Sequence, residues 1–142
     1  MRNCNLIYSM GTSTRAKEEF ITLLQCHDVE IVIDVRRFPT SRIKHFKQQA
    51  LKQLLVKIQI DYLHLGDKLG GYRDSGYHAF TATTEFKQGI ETIERTASRR
   101  KSVILCAEKL PRRCHRRFIT AELEKRGWQI KHMIDEKQPC LL

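Results

Sequence analysis

The sequence predicts a three-layer α/β fold, in which helices cover both faces of a mostly parallel five-stranded sheet. Three observations lead there. Short apolar runs alternate with amphipathic segments along the whole chain, the pattern of βαβ units joined by right-handed crossovers. The run Ile31-Val32-Ile33 is apolar at successive positions, as a strand buried on both faces must be. A length of 142 residues with 41% apolar content is enough for one core and short for two, so residues 1–142 read as a single domain.

The elements follow in order. Leu6 to Met10 is the first strand, and Phe20, Leu23 and Leu24 form the apolar stripe of the helix after it. Ser13 or Thr14 is the expected cap of that helix, with Glu18 and Glu19 in the early turns, where the helix dipole favours acids. Ile31 to Val35 is the second strand. Leu51, Leu54, Leu55 and Ile58 mark the second helix, and Tyr62 to Leu65 the third strand. Phe86, Ile90, Ile93 and Ala97 mark a third helix, leading to the strand Val103 to Cys106. Phe118, Ile119 and Leu123 mark the last helix, Gly127 ends it, and Trp128 to Ile134 is the fifth strand. The suggested strand order is 3-2-1-4-5, which would set the ends of strands one, two and four side by side.

Charge bounds the partners. Lys and Arg number 26 against 16 Asp and Glu, a formal +10, so an anionic small molecule or nucleic acid is the expected partner. No run reaches the roughly 18 apolar residues of a membrane span, so no membrane partner is expected. Cys4, Cys26, Cys106, Cys114 and Cys140 are scattered and odd in number, which fits a reducing compartment, the cytoplasm. Oligomeric state leaves no signal in the sequence.

Each of the first four strands is followed at once by polar residues: Gly11-Thr12-Ser13-Thr14-Arg15, Asp34-Val35-Arg36-Arg37, Gly66 through Tyr72 and Arg73, and Cys106-Ala107-Glu108-Lys109. In a parallel sheet these segments emerge at one edge, the carboxyl ends, where open α/β sheets bind ligands. Gly11, Thr12 and Ser13 are placed to offer N–H groups and hydroxyls to an anion. The segment lacks both the P-loop and the dinucleotide fingerprint, so no cofactor is predicted. Asp34, at the end of a buried strand, needs an arginine or a backbone donor; Arg36 and Arg37 supply the choice, one to be oriented and the other to hold an anion.

Glu108 is the lone acid in a basic stretch from Arg95 to Arg117, which favours an ionised carboxylate suited to nucleophilic or electrostatic work. Cys106 with Arg112 has the spacing of a phosphate-cradling thiolate loop, but the residues between lack glycine and include that carboxylate. Cys106, Cys114 and His115 lack the companion ligands of a zinc site, so no metal is predicted. Cys114 and His115, in the first turn of a helix, also suit a thiolate with a neighbouring base. Tyr72, Tyr77, His78 and Phe80, in a long loop after the third strand, would either cover a flat group or anchor the loop.

Taken together, these motifs resemble the family catalogued as domain of unknown function 488. The resemblance rests on Gly11 to Arg15, Asp34 to Pro39, Leu69-Gly70-Gly71, Phe80 with Thr84-Glu85-Phe86, and Cys106-Ala107-Glu108 followed by Pro111 and Cys114-His115-Arg116. It implies an α/β fold with a site built from those segments, and it brings no reaction with it. Thr12 departs from the histidine that many members carry there, which removes any imidazole role at that place. Two functions remain. One is an enzyme acting on a nucleotide, nucleic acid or other anionic substrate, with Glu108 or Cys106 reactive and Arg36, Arg37 and Arg116 as positioning cations; glycosidic cleavage is the favoured reaction. The other is a nucleic-acid-binding module without chemistry.

Overall fold

A computed structural model describes residues 5–13, 15–37, 43–70, 76–107 and 115–133. The strands are β1 (Leu6–Gly11), β2 (Ile31–Asp34), β3 (Asp61–His64), β4 (Ser102–Cys106) and β5 (Gln129–Met133). The helices are α1 (Lys17–Cys26), α2 (Gln48–Lys57), α3 (Gly66–Leu69), α4 (Tyr77–Phe80), α5 (Thr84–Ala97) and α6 (Arg116–Lys125), with a 3-10 turn over Lys44–Phe46 before α2. No helix among the described residues is long and apolar enough to cross a membrane.

All strand pairs are parallel, and the order is β3-β2-β4-β1-β5. The α/β expectation holds, while the suggested order 3-2-1-4-5 is corrected: β4 lies between β1 and β2. Both β1 and β4 are apolar enough for the centre, and each carries a buried serine; that of β4, Ser102, bonds locally to Arg100 O at 3.0 Å. Ser9 of β1 is fully buried and needs a hydrogen-bond partner, which it finds on the edge strand, in register with His132 of β5. The edge strands β3 and β5 are the partly exposed ones.

Alternating strand residues divide the core in two. Tyr8, Met10, Val32, Val103 and Leu105 pack on α1 and α2 through Phe20, Leu24, Leu51 and Leu55. On the opposite face Ile7, Ile33, Ile104 and Cys106 pack on α5 and α6 through Phe86, Ile90, Ile119 and Leu123. The helices carrying the chain from β1 and β2 therefore lie on one face, and α6, which follows β4, lies on the other.

Helix ends follow a common rule. Gly127 (φ 101) closes α6, its N–H donating to Glu124 O at 3.0 Å while that of Trp128 donates to Leu123 O at 3.0 Å. Asp28 (φ 55) and Gln59 (φ 62) close α1 and α2 with the same pair of bonds, although neither is glycine. The expected cap of α1 is corrected: the cap is Ala16, with no side-chain bond, because Ser13 turns into the left-handed region (φ 47) before the helix begins. Thr14 lies outside the described residues. Glu18 and Glu19 do occupy the first turn. Cys26 is disulfide-bonded, which a reducing compartment would not favour.

Candidate functional site

The carboxyl ends of β1, β4 and β2 lie side by side, with Gly11 opposite Cys106 and Asp34 opposite both Leu105 and His64. Strand pairing continues past them: Thr12 N–H donates to Cys106 O at 2.7 Å, Ser13 N–H to Ala107 O at 2.8 Å, and Val35 N–H to Leu105 O at 2.9 Å. Two consequences follow. The Thr12 and Ser13 amides, expected to face an anion, are spent on β4, which corrects that expectation; Thr12 is also buried. And the chain leaving β4 rises between neighbours that turn to the opposite face, the switch-point arrangement at which open α/β sheets form a crevice.

Asp34 is fully buried and fully engaged. Arg36 grips it with Nε to Oδ1 at 2.9 Å and Nη2 to Oδ2 at 2.8 Å, the Arg36 N–H donates to Oδ1 at 3.1 Å, and the Tyr62 hydroxyl donates to Oδ2 at 2.6 Å. The third nitrogen of Arg36 donates to Phe46 O at 2.8 Å, so the guanidinium is turned inward. Burial, then the Asp34 charge, holds the Tyr62 phenol well above its usual range, so it remains a donor. This closed network fixes the loop after β2. His64 Nε2 donates to Arg36 O at 2.8 Å, and a Cβ on Gly66 would stand 1.9 Å from that same oxygen. A Cβ on Gly70 would stand 2.3 Å from the Cβ of Arg37. Glycine is required at both places by backbone approach, and the half-buried Arg37 is set by it.

On the other face, the Cys106 thiol is fully buried in the apolar cluster under α5 and α6, the setting of a packing cysteine. His115, at the start of α6, donates from Nε2 to Val35 O at 3.2 Å and packs its ring at a tilt against Tyr77, 5.1 Å between centroids. Arg116 is fully buried and points along the sheet, its Nη1 donating to Ser9 Oγ at 3.2 Å. The same Ser9 hydroxyl shares a hydrogen bond with His132 Nδ1, 2.5 Å away, so it links the buried guanidinium to the imidazole. Burial first, and Arg116 second, push His132 below its ordinary pKa, against a smaller pull from Glu124. Arg15 clamps the strand ends, donating to Gly11 O at 2.8 Å and Met133 O at 3.0 Å.

A family model described as Domain of unknown function DUF488 matches residues 16–123. The chain belongs to this family. The match takes in the Asp34–Arg37 segment, β4, and His115 with Arg116; it begins just after Gly11–Arg15 and ends before β5. No curated protein matches the chain.

In this DUF488 domain, then, Gly11, Thr12, Ser13, Asp34, Arg36, Arg37, Cys106 and His115 gather at the carboxyl edge, while Arg116 lies beneath it. Glu108, Tyr72, Arg73 and Cys114 lie outside the described residues. The loop expected after β3 contains α3 and α4, and Tyr77 is an anchor there: its hydroxyl donates to Leu69 O at 2.7 Å and its ring packs on Phe80 and Phe118. Sequence reasoning missed Tyr62, His64, Ser9 and His132. Only His64 carried a signal, as a polar residue at the end of a strand. Among the described residues no cluster of His, Cys, Asp and Glu is arranged to hold a metal.

Proposed function

We propose that this domain is an enzyme acting on a nucleotide, nucleic acid or other anionic substrate bound where β4 ends, and that it cleaves a glycosidic bond with Glu108 as the reactive carboxylate. The observation that supports this most is the anchored exit of β4: Ser13 N–H holds Ala107 O at 2.8 Å, and Glu108 is the next residue along. A carboxylate following a rigid strand at a switch point is well supported for catalysis. Its oxygen would bond to the anomeric carbon as the bond to the leaving group breaks and that group takes up a proton; water would then hydrolyse the ester and restore the carboxylate.

The other roles are assigned from the described bonding for Asp34, Arg36, Arg37, Cys106 and His115, and from the sequence alone for Tyr72, Arg73 and Cys114. Asp34 and Arg36 act as positioning residues, because their own bonding is complete, and Arg37 and Arg73 are the cations assigned to the substrate's anionic group. Tyr72, Cys114 and His115 would flank it, and Cys106 supports the strand end.

The test is Glu108→Gln, compared with the wild type on a panel of nucleosides and nucleotides with release of free base as the readout. Turnover should fall by about two orders of magnitude or more with melting unchanged. Equal turnover, or a variant that melts many degrees lower, would make Glu108 a structural ion-pair partner. The second reading, a nucleic-acid-binding module without chemistry, draws on the net charge of +10 and would be left standing by equal turnover.

A further inference from the structure

Within the basic stretch that the sequence singles out, four of the described cations are engaged in the fold. Arg100 pairs with Asp61 at 2.6 Å, Lys101 lies 3.9 Å from Asp28, Arg116 is buried, and Arg117 lies over the Phe118 ring at 4.7 Å. A longer run of cations with no acid among them lies elsewhere. From Val35 to Ile60 the sequence has no Asp or Glu, and its lysines, Lys44, Lys47, Lys52 and Lys57, are all exposed. None of the ion pairs among the described residues involves them.

We propose that the outward face of the 3-10 turn and α2 is a docking surface for the sugar–phosphate backbone of nucleic acid. At about 100° per residue, Lys52 and Lys57 border that face on its two sides, with the exposed Gln49, Gln53 and Val56 between them. Lys44 and Lys47 close its N-terminal end, where the α2 dipole adds to their positive potential. That end breaks the usual helix rule: the cap residue is Lys47, without a side-chain bond, and no acid stands in the first turn. A sequence that loads cations onto a helix N-terminus gives up local stability, as functional surfaces do. Lys52 is also held over the Tyr62 ring, at 5.8 Å, which limits its wandering. Charge complementarity selects a polyanion, and the make-up of the face selects nucleic acid over a membrane. Glutamines offer hydrogen bonds to phosphate, whereas membrane-surface helices present several large apolar side chains and this face has Val56 alone.

This surface does not rest on the carboxyl-edge reading and is tested apart from it. Binding of labelled single- and double-stranded oligonucleotides would be followed by fluorescence anisotropy from about 50 to about 200 mM salt. The variant Lys47→Gln/Lys52→Gln/Lys57→Gln removes three charges while keeping good helix formers, and Lys87→Gln/Arg95→Gln/Arg99→Gln removes as many from α5 and its C-terminal end. The α2 variant should bind about tenfold more weakly or worse at low salt, with a salt slope shallower by about 2–3, while the α5 variant stays close to wild type. Equal losses in both variants, no oligonucleotide binding at low salt, or binding confined to vesicles of anionic phospholipid would each overturn the proposal.

Discussion

A carboxylate on a strand buried on both faces must be compensated where it stands, and Asp34 is met by two arginine nitrogens, a backbone N–H and a phenol. The need for an arginine was legible from the sequence. Which arginine was not, because Arg36 and Arg37 are adjacent and their division of labour depends on the Phe46 carbonyl and the close approach of Gly66 and Gly70. His132 leads to a pH prediction. Its folded pKa lies below the unfolded value of 6.5, so below pH 6.5 the unfolded chain binds the proton more readily than the folded one. The stability linked to neutral His132 is complete above that value and is lost as pH falls through the depressed folded pKa. Arg116 and the Ser9 hydroxyl face the ring, with Glu124 opposing them. Urea midpoints should therefore decline from pH 7 to about pH 5, and His132→Gln should flatten part of that decline. An unchanged slope in the variant would place the titration elsewhere.

Long periodic elements were legible and short ones were not. The five strands and the helices α1, α2, α5 and α6 fall where apolar spacing puts them. By contrast α3 and α4 have four residues each, too few to display a period of 3.6, and their positions are set by packing of Leu69 and Phe80 under α5. Caps depend on local dihedral angles, which is how Ala16 came to stand where a hydroxyl was expected. The cap of α2 carries the next prediction. Lys47 has the extended backbone of an N-cap (φ -67, ψ 145), so Lys47→Asp can cap α2 without rearrangement. It should stabilise the fold by about 1 kcal/mol, measured by denaturant unfolding, and weaken oligonucleotide binding in the same protein. Lower stability would show that Lys47 has a structural role.

At the scale of the whole molecule, lateral strand order was the least legible feature, since right-handed crossovers permit both arrangements and the buried Ser9 decides only through its partner on β5. The direction of the strands was legible, and with it the edge at which the polar segments gather. That edge is the proposed reaction site; the outer face of α2 is the proposed docking surface; and an open depression lined by Asp28, Glu30, Gln59 and Arg100 lies at the opposite, amino-end edge. Backbone amide chemical shifts separate these three places in a single experiment. On titration of the isotopically labelled protein with a nucleoside monophosphate, saturable shifts should centre on Ser13, Arg37, Ala107 and His115. Shifts confined to α2 or to the Asp28–Gln59 depression, or none at millimolar ligand, would contradict a substrate site at the end of β4.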